Sequence, residues 1–225
     1  MNYSMVKYKV DLSDTAYFNG ITIDSSYLSE GLEYAKKHGI NRVLIRNEEG
    51  IKQKIDFELF KKYDFITTLH WIAPFSKLSN IEGIYSLTKL KELRWAPTIN
   101  LPIDLSAFPH IEMLSTTYCK QMSGWDELNN LKFLFLTKVD TCNLYFLHKV
   151  INLEYLRILR GKIVSISGID NCSKLRTLFL QSCNCISTLE PTIRKLSLDK
   201  LNIENCTNLK ADETLNKYVK SISII

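Results

Sequence analysis

Six segments of this chain carry the pattern L-x-x-L-x-L or a close variant: LKELRW, IEMLST, LKFLFL, LEYLRI, LRTLFL and LDKLNI. They begin at Leu90, Ile111, Leu131, Leu153, Leu175 and Leu198, at intervals of 21, 20, 22, 22 and 23 residues. A degenerate copy, VKSISI, begins 21 residues later at Val219. Two looser copies, ITTLHW at Ile66 and INRVLI at Ile40, precede the series at intervals of 24 and 26. A period of that size means that one small unit is stacked many times, because no single unit can bury its own apolar face.

Two spacings shape each unit. In LRTLFL, Leu178 and Leu180 are two apart and share one face of a short strand, while Thr177 and Phe179 take the other. Upstream, apolar residues recur at every third position: Ile163, Ile166, Ile169, Cys172, Leu175. The same spacing runs through Ile81, Ile84, Leu87, Leu90 and through Met122, Trp125, Leu128, Leu131. Period three is tighter than an α-helix and predicts 3₁₀ turns or extended segments on the return side. One strand and one narrow return make a coil, and each coil covers the next.

With these motifs the chain resembles leucine-rich-repeat proteins, in the short class of about 20–23 residues per repeat that includes bacterial internalin-like proteins. The resemblance covers residues 40–225. It implies an α/β fold, a right-handed solenoid of about eight to nine units with a parallel concave sheet and a convex side of 3₁₀ and extended segments. The position three residues past the last apolar strand residue is usually Asn in that class. Here it is Cys119, Cys183 and Cys206 in three units, and Pro74, Thr98, Val139 or Gly161 elsewhere. A buried thiol still serves as a weak donor to a neighbouring carbonyl, whereas Val and Pro do not. The stack is therefore expected to be irregular.

Residues 1–39 do not fit the repeat and read as an amino-terminal cap of strands plus a helix. In SSYLSEGLEYAKKHG, Asp24 or Ser25 is the expected N-cap, Leu28, Leu32 and Tyr34–Ala35 share a side, and Gly39 ends the helix. At the other end VKSISII stops on a strand, which predicts a homo-oligomer contact through that strand's free edge.

Strand parity predicts which side chains stand on the concave face. They are Glu92 and Arg94; Met113, Ser115 and Tyr118; Phe133, Phe135 and Lys138; Tyr155, Arg157 and Arg160; Thr177, Phe179 and Gln181; then Lys200, Asn202 and Glu204. The candidate protein-binding site is Arg94, Met113, Tyr118, Phe133, Phe135, Tyr155, Arg157, Arg160 and Phe179. Aromatics beside arginine on a face that should otherwise be polar have the composition of a binding hot spot. The competing reading is that a loop or neighbouring side chains cover Phe133 and Phe135 in a second small core.

Other chemistry is thin. Cys183-Asn184-Cys185 sends its two thiols to opposite sides of a strand-to-turn segment, which is wrong for a zinc site. His38, His70, His110 and His148 lie in different units, and His70, beside Thr68 and Arg94, shows no acid partner in the sequence. No nucleophile elbow, phosphate-binding glycine loop or H-E-x-x-H is present, so neither enzyme activity, cofactor nor metal is expected. A net charge of +5, with lysines scattered among acids, does not read as a nucleic-acid track.

No apolar stretch approaches the ~20 residues of a membrane span. MNYSMVKYKVDLSD has no apolar core after a basic start, and the six cysteines then read as free thiols in a reducing compartment. The expected protein is a cytoplasmic, non-enzymatic bacterial interaction module that binds a protein partner, a toxin or effector, as an immunity protein would. The alternatives are a regulatory adaptor or phosphatase-type subunit, and an exported surface adhesin.

Overall fold

A computed structural model describes residues 7–97, 99, 101–209 and 213–225. The chain divides into two compact units, residues 1–101 and 102–225. The ladder residue Thr98 lies outside the described residues.

The first unit opens with β1 (Tyr8–Asp11), antiparallel to β2 (Gly20–Asp24). The Asp24 carboxylate accepts from the Ser26 amide and starts a short 3₁₀ turn that runs into α1 (Leu28–Lys37). Leu28, Gly31, Leu32 and Ala35 form the buried stripe of α1, and Tyr34 is half-buried. Gly39 follows with φ +66°, the left-handed conformation that ends helices. Then β3 (Arg42–Arg46), β4 (Thr68–Trp71) and β5 (Glu92–Trp95) continue the sheet from β2 in parallel.

The two long repeat intervals lie here and are filled by bulk. Phe57, Phe60, Trp71, Phe75 and Trp95 are buried together, with Phe57 against Trp71 at 4.7 Å and against Phe75 at 5.2 Å between ring centroids. The return segment is correspondingly longer, a 3₁₀ stretch over Phe57–Lys62 rather than a single turn. The next stretch, Glu82–Ser86, sits so close that a Cβ on Gly83 would stand 2.1 Å from the Phe57 carbonyl oxygen.

The second unit is the more regular. Its strands β6 (Met113–Thr117), β7 (Phe133–Thr137), β8 (Tyr155–Leu159), β9 (Thr177–Gln181), β10 (Leu198–Glu204) and β11 (Val219–Ile224) pair in parallel in chain order. Leu114, Leu134, Leu156, Leu178 and Leu201 stand in register and are fully buried. Period three on the return side is a chain of i→i−3 hydrogen bonds: Ile169 to Ile166, Cys172 to Ile169 and Leu175 to Cys172, at 3.4, 3.0 and 2.9 Å. These units have the strand-plus-3₁₀ architecture expected of a leucine-rich-repeat solenoid.

The thiol ladder works as the chemistry of Cys allows. The Cys206 sulfur accepts the Cys183 amide at 3.4 Å and donates to the Leu180 carbonyl at 3.6 Å, while Cys183 Sγ reaches the Ile158 carbonyl at 3.7 Å. Cys119 turns instead to its neighbour Gln121 at 2.8 Å, and Val139 is buried in the same ladder position.

Candidate functional site

Parallel register sets the strand face of the second unit as three columns. Met113, Phe133, Tyr155, Thr177 and Lys200 form the first; Ser115, Phe135, Arg157, Phe179 and Asn202 the second; Thr117, Thr137, Leu159, Gln181 and Glu204 the third. None of these side chains reaches the leucine interior, because residues one position along each strand already fill it.

The aromatics are brought together. Phe135 and Tyr155 pack at 5.1 Å between ring centroids across neighbouring strands. Phe133 is 36% exposed, and Met113, Phe135, Tyr155 and Phe179 are half-buried. Arg157 lies over Phe179, its guanidinium carbon 4.4 Å from the ring centroid, and Nη2 donates to Gln181 Oε1 at 2.7 Å. Stacking and one neutral hydrogen bond leave its positive charge uncompensated by any carboxylate among the described residues. Thr117 and Thr137 share a hydroxyl hydrogen bond of 3.0 Å in the third column. Arg160 follows β8 and is exposed.

One placement needs correction. Tyr118 does not stand in the row: it is buried, its ring 4.9 Å from Phe146, which meets Trp125 at the same distance. It follows the last residue of β6, where strand alternation no longer governs side-chain direction, and Thr117 takes the place on the face. Arg94 belongs to the first unit, opposite His70 in register.

His70 does have an acid partner. Its Nε2 lies 2.6 Å from Glu92 Oε1, and Arg42 approaches Glu92 Oε2 at 3.4 Å. Arg42 also donates to Thr68 Oγ1 and to the Asn19 carbonyl. The hydrogen bond from His70, with its charge and that of Arg42, holds the Glu92 carboxyl below its usual range against the opposing effect of burial. This network was hidden in the sequence because His70 and Glu92 are 22 residues apart and meet only through the strand register.

Cys183 is buried and Cys185 exposed, so their thiols part as their spacing requires. No cluster of three metal-ligating side chains occurs among the described residues, and no described helix is long and apolar enough to cross a membrane.

No family model matches the chain, and no curated protein matches it with significance. Among solved structures, internalin C2 from Listeria monocytogenes is similar with a TM-score of 0.61 and 18% identity, over 88% of this chain and 84% of that one. A longer internalin of the same organism, internalin F, gives a TM-score of 0.47 at 15% identity, over 84% of this chain and 56% of its own. The cytoplasmic placement expected from the sequence is overturned by this likeness, since internalins are secreted or wall-anchored surface proteins. The chain has an internalin-like leucine-rich-repeat fold.

Proposed function

We propose that the protein recognises a protein partner on the strand face of its second unit, through Met113, Phe133, Phe135, Tyr155, Arg157, Arg160 and Phe179. The observation that supports this is the partly exposed aromatic row with an unneutralised guanidinium beside it. Large rings left on a sheet face cost solvation unless something covers them, and such patches mark interaction sites. The likeness to internalin C2 supports a surface-recognition role.

Affinity capture from the native extract tests the proposal, comparing the unaltered chain with a Phe135→Asp, Tyr155→Asp double variant. Loss of one specific protein from the variant's eluate, with the melting temperature within a few degrees, supports it. Capture of the same proteins by both refutes it. The finer expectation of toxin neutralisation predicts a toxin gene beside this one and protection on co-expression, and failure of both rejects it. The adaptor alternative predicts capture of a housekeeping enzyme.

A second contact is proposed at β11, which bonds to β10 along one edge and carries the exposed Ile224. Pairing of its other edge with a second copy would appear as dimer in sedimentation; a monomer at high concentration rules it out.

A further inference from the structure

Four non-glycine residues with left-handed backbone stand on successive coils of the second unit: Lys138 (φ 55°), Arg160 (φ 58°), Ser182 (φ 54°) and Asn205 (φ 52°). Each directly follows its strand, β7 to β10. Each amide donates at 2.8 Å to the next coil, to the carbonyls of Leu159, Gln181, Glu204 and Ile225 in turn. The equivalent amide of Tyr118 bonds the Thr137 carbonyl at 2.9 Å without a left-handed φ, so the ladder bond alone does not impose the conformation.

That conformation suits Gly, and among other residues Asn, because a Cβ crowds the carbonyl there. Asn205 fits this rule; Lys138 and Arg160 do not. The coil of Arg160 does contain a glycine, one position later. A Cβ on Gly161 would stand 2.9 Å from Ile158 Cγ2 and 3.2 Å from Cys183 Sγ, so packing claims the glycine at 161. At 160 the backbone that favours glycine instead carries a guanidinium. Strain kept under a particular side chain points to work done by that side chain.

Both cations are exposed, and neither has an ion pair among the described residues. They sit on neighbouring coils, about 5 Å apart at the backbone, with the uncompensated Arg157 on the strand between Tyr155 and Leu159. Across β6 to β9 the face columns contain no carboxylate; the first is Glu204 on β10. Three positive charges therefore border the aromatic row with no carboxylate in the face columns of β6 to β9 to meet them, and Asp140, two residues past Lys138, is engaged by Lys120 and Lys162. The rim continues as Ser182 and Asn205, so the positive tract is two coils wide, too short to follow a nucleic-acid backbone.

We propose that Lys138, Arg160 and Arg157 hold the carboxylates of an acidic segment of the protein partner, whose apolar side chains lie on Phe133, Phe135 and Tyr155. This rests on the reading of the strand face as the partner site, and it specifies the chemistry of what binds there.

The probe is a fluorescent peptide with glutamates flanking a Leu-Phe core, and its counterpart with lysines in place of the glutamates, titrated against the full chain. The acidic peptide binds at least about tenfold tighter than the basic one, more weakly as salt rises. A Lys138→Gly, Arg160→Gly double variant loses about tenfold in affinity. Its melting temperature does not fall, because glycine relieves the left-handed backbone. A purely structural role for the two residues would give the reverse, a lower melting temperature with affinity intact, and would overturn the proposal.

Equal affinity for both peptides, abolished by Phe135→Asp but not by the glycine variant, overturns the acidic segment while leaving the partner face standing. No peptide binding, together with unchanged protein capture by the Phe135→Asp, Tyr155→Asp variant, overturns both. A single-stranded oligonucleotide that outcompetes the acidic peptide at physiological salt makes the polyanion a nucleic acid and also overturns it.

Discussion

The guanidinium of Arg157 is held over Phe179 at 4.4 Å while Gln181 accepts from its Nη2 at 2.7 Å, so a long flexible cation is fixed in place before any partner arrives. Both holding groups come from β9, the neighbouring strand, and the fixation is a direct product of register. A cation–π contact at a partly exposed site contributes about 0.5–1 kcal/mol. A double-mutant cycle of Arg157→Met and Phe179→Leu, read by urea unfolding, should return a coupling energy of that size. Coupling indistinguishable from zero would mean the stack does not order Arg157 in solution.

The repeat made most of this face legible beforehand. Period-two alternation within LKFLFL, LEYLRI and LRTLFL is enough to put Phe133, Phe135, Tyr155, Arg157 and Phe179 on one side, because the leucines between them must be inside. Tyr118 was misplaced for a definable reason: alternation ends with the strand at Thr117, and the turn after it buries the ring against Phe146. The left-handed backbone at Lys138 and Arg160 gave no signal, since neither residue type advertises positive φ. The His70–Glu92 contact was invisible because its distance in sequence is one whole repeat, and the first unit's repeats are irregular in length.

The six cysteines should divide sharply in reactivity. Cys142 and Cys185 are exposed, whereas Cys119, Cys172, Cys183 and Cys206 are buried. Burial pushes the Cys172 thiol up to about 12 and the Cys183 thiol up to about 11, so almost none of either is thiolate near neutral pH. A thiol titration at pH 8 should consume two groups quickly in the native protein and all six after denaturation. Four or more fast groups in the native state would contradict the packed ladder.

Within that ladder, Cys206 does more than fill space. Its sulfur is the acceptor for the Cys183 amide, and both are buried, so Cys206→Val leaves an amide with no partner. An orphaned buried donor costs about 1–3 kcal/mol. Cys206→Ser keeps an acceptor and should cost about 1 kcal/mol or less. Cys119→Val should also be mild, since its thiol bonds only the side chain of the exposed Gln121 two residues on. Equal destabilisation by Cys206→Val and Cys206→Ser in urea titrations would show that volume, not the amide, sets the effect.

The carboxyl of Glu92 supplies a pH dependence whose sign follows from its partners. The hydrogen bond from His70 is the largest influence, and with the charges of His70 and Arg42 it lowers the folded-state pKa, although burial alone would raise it. A depressed carboxyl pKa stabilises the folded state above the unfolded value, roughly 4.3 for Glu. That contribution disappears as pH falls from there through the folded value. Glu92→Gln should therefore cost about 1–2 kcal/mol near pH 7, where a charged hydrogen-bond acceptor has been lost. The gap between variant and parent should close below the ordinary carboxylate range, because the parent's Glu92 is then protonated as well. Parallel stability curves for the two proteins across that acid range would mean that the contacts of His70 and Arg42 with Glu92 do not persist in solution.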